Sequence, residues 1–265
     1  MVTDRVAVEV ADHVAEVRLT RPDKHNALDF AMFEAISDAI DAVAADPSIR
    51  AVVLHGEGRS FCSGLDVASF MAENRPVDEI LTRREGEDAN VAQRVSYGWQ
   101  TVPAPVICAV HGNCLGGGAQ IALGADVRIV APDAKVSIRE AHWGLIPDMG
   151  ITRSLPRLVR LDVAKELVLT ARVLDGAEAV RLGLGTRLAD DPLAEARELA
   201  AEIAALSPDA TRRGKALLEQ AWNLPPAESL ALEERLQREL LGSENQMKAV
   251  AAGFSGEPAD FDDPS

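Results

Sequence analysis

The chain of 265 residues is 47% hydrophobic and 26% charged, and its 42 acidic and 27 basic side chains give a net charge of −15. This length and composition are typical of one large globular domain and exclude a collagen, a coiled coil or a wholly disordered chain. Because an acidic protein repels phosphate backbones and anionic lipid, and no run of lysine and arginine offsets the charge, we expect neither a nucleic-acid nor a membrane partner.

The cysteines and the start of the chain indicate a cytoplasmic protein. Cys62, Cys108 and Cys114 are odd in number and have apolar neighbours, which predicts reduced thiols. The first residues, MVTDRVAVEV, lack the apolar core of a secretion signal, and no segment is apolar enough to span a bilayer. The five histidines are scattered without the spacing of ligands, so we expect no metal site.

Strands and helices alternate over the first 160 residues. Apolar alternation or short apolar runs predict strands at 6–10, 14–19, 51–54, 106–110, 127–130 and 136–138. Helical spacing predicts helices at 30–43, at 66–99 with an interruption at Pro76, and at 119–123. Strands that alternate with helices predict an α/β core.

Helical patterns dominate after about Leu161. They cover 163–169, 178–182, 192–206, 208–222 and 229–241. We therefore divide the chain into a core over 1–200, a helical C-terminal region over 201–255 and an acidic tail over 256–265. The tail carries four carboxylates and no basic residue, and we expect it to be a loose, solvated end.

A glycine cluster over 112–118 joins one predicted strand to the helix at 119–123. Such a junction leaves backbone N–H groups free, and the helix dipole favours negative charge there. The spacing excludes a P-loop, because Ala119 follows Gly118, and it excludes the G-x-G-x-x-G fingerprint of dinucleotide sites. An oxyanion or phosphate site and a plain tight turn both fit the cluster.

The loop SFCSGLDV, residues 60–67, also follows a predicted strand and could present a second N–H group. Two converging donors would stabilise a developing oxyanion, and the loss of one such donor typically costs roughly 3–4 kcal/mol. The alternative is an ordinary strand-to-helix loop. A nucleophile among Ser60, Cys62 and Ser63 is disfavoured, because no G-x-S-x-G frame is present and no histidine is evidently paired with them.

Two carboxylates, Glu140 and Asp148, lie in the otherwise apolar segment REAHWGLIPD, residues 139–148. Apolar surroundings raise the pKa of a carboxyl group, as general acid–base catalysis requires. The alternative is a pair of solvated loop carboxylates.

Together these segments resemble the crotonase, or enoyl-CoA hydratase/isomerase, superfamily. The resemblance extends from RPDKHNAL at 21–28 to about residue 255, and includes FCSGLD at 61–66, the glycines at 112 and 116–118, and GLIP at 144–147. It implies a crotonase-type α/β spiral of repeated strand-strand-helix units, with 201–255 as a helical trimerisation region. It also implies a homotrimer or dimer of trimers, and an acyl-CoA thioester as substrate, with coenzyme A part of the substrate and no separate cofactor.

The resemblance also implies roles for single residues. The N–H groups of Leu65 and Gly117 match the family's oxyanion hole, and Glu140 matches one of the two glutamates of the hydratases. The other falls on Gln120, whose amide accepts no proton but can orient a water or substrate. Asp148 matches an acidic position of the family's dienoyl-CoA isomerases.

Nine further residues match positions that bind the substrate: Lys24, Ala27, Ser63, Gly64, Asp66, Val67, Leu115, Gly116 and Trp143. A buried Trp143 that serves only the core is the alternative for that residue. For the coenzyme A phosphates, the basic candidates are Arg21, Lys24 and the Arg83-Arg84 pair.

Three functions follow as hypotheses. The first is an enzyme that hydrates or isomerises an enoyl-CoA double bond through a thioester enolate. The second is a catalytically silent acyl-CoA-binding or scaffold protein, which the glutamine at position 120 motivates. RNA binding, which occurs among relatives of the family, is opposed by the net charge of −15.

Overall fold

A β-hairpin begins the fold. In the computed structural model, which describes residues 1–73, 75–83 and 85–264, β1 (Val6–Ala11) pairs antiparallel with β2 (Val14–Leu19). Both residues of the connecting turn have positive φ, 47° at Asp12 and 64° at His13, as the tight turns of twisted hairpins require. Alternate residues of β2 are buried, so the predicted period of two is confirmed.

Parallel strands added by crossover connections build the rest of the main sheet. Its order is β1-β2-β3-β4-β6-β8, and every pair after the hairpin is parallel. A second sheet pairs β5 with β7. The remaining strands are β3 (Ala51–Gly56), β4 (Val106–Val110), β5 (Asn113–Leu115), β6 (Val127–Val130), β7 (Lys135–Ser137) and β8 (Arg187–Leu188). The predicted α/β class is therefore confirmed.

Helices cover the sheet and form the C-terminal part of the chain. They are α1 (Phe30–Ala45), α2 (Val67–Glu73), α3 (Asp78–Leu81), α4 (Val91–Thr101), α5 (Gly117–Leu123), α6 (Ile151–Leu158), α7 (Leu161–Thr170), α8 (Gly176–Leu182), α9 (Pro192–Ala204), α10 (Pro208–Ala221), α11 (Pro226–Leu240) and α12 (Glu244–Ser255). Single 3-10 turns lie at Pro22–Lys24 and Glu140–Trp143. Within the described ranges, no helix has the length and apolar character of a membrane span.

The interruption predicted at Pro76 within the helical stretch 66–99 is confirmed, but the structure has a second break that the sequence did not predict. The structure has three helices there, α2, α3 and α4, and the last begins only at Val91. Asn90 caps α4 with a capping box, because its side chain accepts from the N–H of Gln93 while the Gln93 side chain accepts from the N–H of Asn90. The chain therefore ends one helix and starts another where periodicity alone suggested continuity.

The central strands are buried on both faces. Val52, Leu54 and Cys108 face the larger core, which includes Phe33 and Trp99. The opposite residues of these strands pack against Ala196 and Ala200 of α9 in a smaller cluster. This two-sided burial explains why β3 and β4 appear in the sequence as continuous apolar runs.

The acidic tail is docked, contrary to our expectation of a loose end. Phe261 is buried, and its carbonyl accepts a hydrogen bond of 2.7 Å from Nη2 of Arg50. The backbone of Asp262 exchanges two hydrogen bonds with the buried Asn245 side chain, and Lys248 forms an ion pair with the Asp262 carboxylate. Basic and amide groups elsewhere in the chain supply the partners that the tail itself lacks.

A buried ion pair fixes α10 to the core. Nζ of Lys215 lies 2.8 Å from Oδ2 of Asp126 and also donates to the carbonyls of Trp99 and Ala104. Oδ2 of Asp126 accepts from the N–H of Val106, at the start of β4. Burial raises the pKa of Asp126 and lowers the pKa of Lys215, against the attraction between the two charges. The pair itself therefore adds little stability, but neither charge can be left alone.

We predict that Asp126→Ala lowers the free energy of unfolding by about 3 kcal/mol, because it leaves the Lys215 ammonium buried without its counter-charge. Urea denaturation followed by circular dichroism measures the change. The double variant Asp126→Ala with Lys215→Met should recover most of the loss. As a control, Asp162→Ala breaks the exposed pair with Arg160 and should have little effect. A loss for Asp126→Ala as small as that of this control would contradict the prediction.

Candidate active site

The first wall of the site consists of two loops, 21–28 and 60–66, that hydrogen bonds hold together. The fully buried side chain of Asn26 accepts from the N–H of Arg21 and donates to the carbonyls of Ser60 and Phe61. Leu28 then pairs with Leu65 as a parallel bridge. In such a bridge the neighbouring residues 64 and 66 make the hydrogen bonds, at 2.8 and 2.9 Å, so the Leu65 N–H has no acceptor among the described residues.

Two of the proposed ligand contacts are instead parts of this framework. The Asp66 carboxylate accepts from the N–H and hydroxyl of Ser69 and lies 2.8 Å from the Arg21 guanidinium. Although burial raises the pKa of Asp66, these hydrogen bonds and the Arg21 charge give a net lowering. Arg21 also donates to the carbonyl of Ala27 and is largely buried. The Arg21 guanidinium is thus engaged inside the protein and is a poor candidate for the coenzyme A phosphates.

The glycine cluster forms the second wall. The N–H of Gly116 donates to the carbonyl of Ser137, and its backbone, at φ 53° and ψ −122°, is one that favours glycine. Gly117 then opens α5, and in the described part of the chain its N–H has no acceptor, as expected for the first residue of a helix. Gly64, at φ +91°, permits the close approach of the walls, because a methyl group there would lie 2.7 Å from the Leu115 carbonyl oxygen and 3.6 Å from the Gly117 nitrogen.

Glu140 lies beside the glycine cluster. It begins the 3-10 turn after β7, and its side chain is buried. A methyl group on Gly116 would stand 3.3 Å from Oε1 of Glu140, so the carboxylate lies directly against the glycine cluster. Oε1 accepts a hydrogen bond of 2.7 Å from Nε2 of Gln120, whereas Oε2 is buried without a partner in the described residues. Burial raises the pKa of Glu140, and repulsion by Asp148 adds to the effect.

Gln120 uses both ends of its amide within the protein. Nε2 donates to Glu140, and Oε1 accepts a hydrogen bond of 2.9 Å from the N–H of Met149. Its side chain is fully buried in α5. Each end of the amide that we expected to orient a water or substrate therefore makes one hydrogen bond within the protein. Met149, which the sequence analysis did not identify, supplies this N–H, and its sulfur also packs against Gly117.

Asp148 and the residues before it lie at the surface of the chain. Asp148 as a whole residue is exposed, but its carboxyl group is partly buried, and this partial burial raises the pKa of Asp148. Trp143 and Ile146 are 64% and 76% exposed, so the alternative of Trp143 as a core residue is wrong. These side chains therefore leave apolar surface uncovered in the single chain.

The remaining candidates divide by exposure. Lys24 and Val67 are exposed, Ser63 and Leu115 are half-buried, and Ala27 is buried. The Ser63 hydroxyl lies 3.4 Å from the Lys24 carbonyl, which places the two residues side by side on the first wall. For the phosphates, Arg83 is exposed, and Arg84 lies outside the described residues.

A serine–histidine contact, which the sequence did not reveal, links the loops. Nδ1 of His25 lies 3.0 Å from Oγ of Ser60, and the N–H of Asn113 donates to the same hydroxyl. Ser60 is only 1% exposed, so no substrate reaches it, and the contact joins the two loops. Burial raises the pKa of Cys62 to about 12, which removes the thiolate that a nucleophile needs. No group of potential metal ligands occurs in the part of the chain that the structure describes.

Comparison with known proteins shows which family the chain resembles in sequence and structure. The family model for enoyl-CoA hydratase/isomerase matches residues 9–262. The chain is 33% identical to echA8 of Mycobacterium tuberculosis, which carries an enoyl-CoA hydratase name, over 95% of each chain. It is also 33% identical to the human mitochondrial Δ(3,5)-Δ(2,4)-dienoyl-CoA isomerase, over 91% of this chain and 76% of the relative. The crystal structure of enoyl-CoA hydratase from M. tuberculosis matches with a TM-score of 0.87 at 27% identity, over 99% and 100% of the two chains.

We predict that Cys62, Cys108 and Cys114 do not react with Ellman's reagent in the native protein at pH 8, because all three are buried and burial raises the pKa of each thiol. After unfolding in guanidinium chloride all three should react. Absorbance at 412 nm counts the thiols in both states. A thiol that reacts rapidly in the native state would contradict the assignment of these residues to the core.

Proposed function

Because the chain belongs to the enoyl-CoA hydratase/isomerase family and has its crotonase-type fold, we propose that it shifts the double bond of an enoyl-CoA thioester through an enolate intermediate. The observation that carries this proposal is the buried Oε2 of Glu140, which has no hydrogen-bond partner among the described residues and belongs to a side chain that lies against Gly116. Such a pairing provides a base and a place for the negative charge that the base creates.

The oxyanion hole is assigned to the N–H groups of Leu65 and Gly117. When the thioester oxygen accepts from both, the α-proton becomes more acidic, because the charge of the enolate forms against donors that are already in place. The Gly117 amide also has the positive end of α5 behind it. The fixed loops around Leu65 keep that amide from turning to an internal acceptor.

Glu140 is assigned as the base that takes a proton from the substrate and returns it at the other end of the enolate. One carboxylate suffices for isomerisation, because the group that removes a proton from one carbon can, once protonated, deliver a proton to the other carbon. Asp148 acts as a second acid or as the group whose charge keeps Glu140 basic. The raised pKa of Glu140 suits this shuttle, because the protonated form is also accessible.

Hydration of the double bond is the second candidate, and the hydratase names among the relatives favour it. Addition of water more often uses two proton-accepting groups, and Gln120 provides none. In a hydration reaction, Asp148 would have to be the second proton-accepting group. The silent binding protein is disfavoured, because a site without chemistry has no use for a buried carboxylate with a raised pKa.

Assembly into trimers through region 201–255 is part of the proposal. Side chains of α11 and α12 leave apolar surface uncovered in the single chain, with Leu230, Met247 and Phe254 at 61%, 57% and 91% exposure. A neighbouring subunit that covers them would remove this apolar area from water.

We predict that the purified protein, incubated with 3-enoyl-CoA or 2-enoyl-CoA in deuterated water, moves the double bond and exchanges hydrogen without addition of water. Mass spectrometry of the thioesters separates this result from hydration, which adds one water. Glu140→Gln should lower turnover by about 10²–10⁴-fold and leave the affinity for a saturated acyl-CoA unchanged. The control Glu198→Gln, an exposed residue of α9, should match the wild type. Full activity of Glu140→Gln would refute the assignment of the base.

The raised pKa of Glu140 also predicts a pH dependence of stability. The fold disfavours the charged form, so the wild type loses stability as the pH rises from below the ordinary pKa of 4.5 through the higher pKa in the folded state. Glu140→Gln has no such cost, so its melting temperature at pH 7 should exceed that of the wild type, with the difference vanishing below pH 4.5. Calorimetry over this range measures both proteins. An equal difference at all pH values would contradict the prediction.

A further inference from the structure

We propose that Gln120 positions the carboxylates of the site, because one end of its amide holds Glu140 and the other holds the backbone next to Asp148. The inference rests on the proposed function, since it concerns the placement of the base. Its direct readout is the ionisation of Glu140, which can be measured whether or not the protein turns a substrate over.

The two hydrogen bonds of the amide define this clamp. Nε2 of Gln120 is 2.7 Å from Oε1 of Glu140, and Oε1 of Gln120 is 2.9 Å from the Met149 nitrogen. Met149 directly follows Asp148, so a single side chain spans from one carboxylate to the segment that carries the other. With Oε1 of Glu140 fixed in this way, the free Oε2 also has a fixed direction.

The chemistry of the two partners sets the orientation of the amide. An ionised carboxylate only accepts hydrogen bonds, and a backbone N–H only donates, so the nitrogen of Gln120 must face Glu140 and its oxygen must face Met149. Leucine offers neither group. A glutamate could accept from Met149, but it could donate to Glu140 only when protonated, because an ionised carboxylate has no proton to donate. Two ionised carboxylates at this distance would also repel each other.

The helix that carries Gln120 is itself held in place. Oγ of Ser96, in α4, donates a hydrogen bond of 2.6 Å to the backbone carbonyl of Gln120. This contact lies on the main chain and leaves the amide clamp untouched, so Ser96 offers a control for general damage to α5. Asp148 is the titratable group whose charge acts on Glu140 besides this clamp.

The test combines infrared titration with pH–rate profiles for the wild type, Gln120→Leu and Gln120→Glu. The carbonyl stretch of protonated Glu140, assigned by its absence in Glu140→Gln, reports the ionisation directly. Gln120→Leu removes a donor from the carboxylate, so the pKa of Glu140 should rise and the acid limb of kcat should move to higher pH. Because a misplacement of about 1 Å can cost about 100-fold, we expect a loss of kcat of about that size with KM nearly unchanged.

Gln120→Glu keeps the size of the side chain and tests the donor itself. The two carboxyl groups should titrate as a coupled pair in two steps. Activity should return where the pair holds one proton, since the protonated group can donate as the amide does, and should fall again when both ionise. Gln120→Leu should not recover at any pH. If that variant does not fold, the pH profile of Gln120→Glu still decides the question.

Ser96→Ala is the matched control and should lower the melting temperature without moving the titration of Glu140 or the pH profile. Gln120→Leu with the titration, kcat and acid limb of the wild type would overturn the clamp. A Gln120→Glu variant whose activity falls at high pH no more than that of the wild type would also overturn the clamp. If the wild type converts no enoyl-CoA, the proposed function fails, but the clamp can still be tested. A raised pKa of Glu140 in Gln120→Leu would then support the clamp, and an unchanged pKa would contradict it.

Discussion

The site depends on a backbone-to-backbone approach between the loop that ends at Leu65 and the glycine cluster. At Gly64 a single methyl group would collide with the carbonyl of Leu115, and at Gly117 it would meet Leu28 and Met149 at 2.8 Å. Glycine at these positions lets the backbones of the two walls approach each other closely. The hydrogen bonds of Asn26 and the Arg21–Asp66 ion pair then make the first wall rigid. Within the described residues, the N–H groups of Leu65 and Gly117 have no acceptor.

The second constraint is the burial of Glu140, which acts against stability. A carboxylate that loses its water and keeps one oxygen without a partner raises the free energy of the folded state at neutral pH. Gln120 donates a hydrogen bond to only one of the two carboxylate oxygens of Glu140. The other remains basic, and this is the property that a proton shuttle in the proposed isomerisation requires. The burial of Glu140 therefore lowers the stability of the fold and at the same time supports the proposed activity.

The C-terminal part of the chain is bound to the core by polar contacts rather than by apolar packing alone. Lys215 reaches from α10 to Asp126 and two backbone carbonyls, and Arg50 holds the carbonyl of Phe261. The apolar residues of α11 divide differently, because Leu232 and Leu236 are buried while Leu230 is exposed. One face of the helix thus packs against the chain itself and another remains exposed.

The sequence predicted the strands and helices that have strong periodicity. The strands predicted at 106–110 and 127–130 coincide with β4 and β6, and α1 extends the helix predicted at 30–43 by two residues. It missed β5 and β8, of three and two residues, because so few residues show no period. It also missed α6, which carries an internal proline, and α12.

The same division holds for the site. Leu65, Gly117, Gln120, Glu140 and Asp148 could be named from the sequence, because glycine-rich junctions and the family resemblance mark them. The pairing of Asp66 with Arg21, the hydrogen bond from Met149 to Gln120 and the docking of the acidic tail could not be predicted in this way. These contacts join residues that are distant in the chain or involve backbone groups. A hydrogen bond to the main chain leaves no signature in the identity of the residue that supplies it.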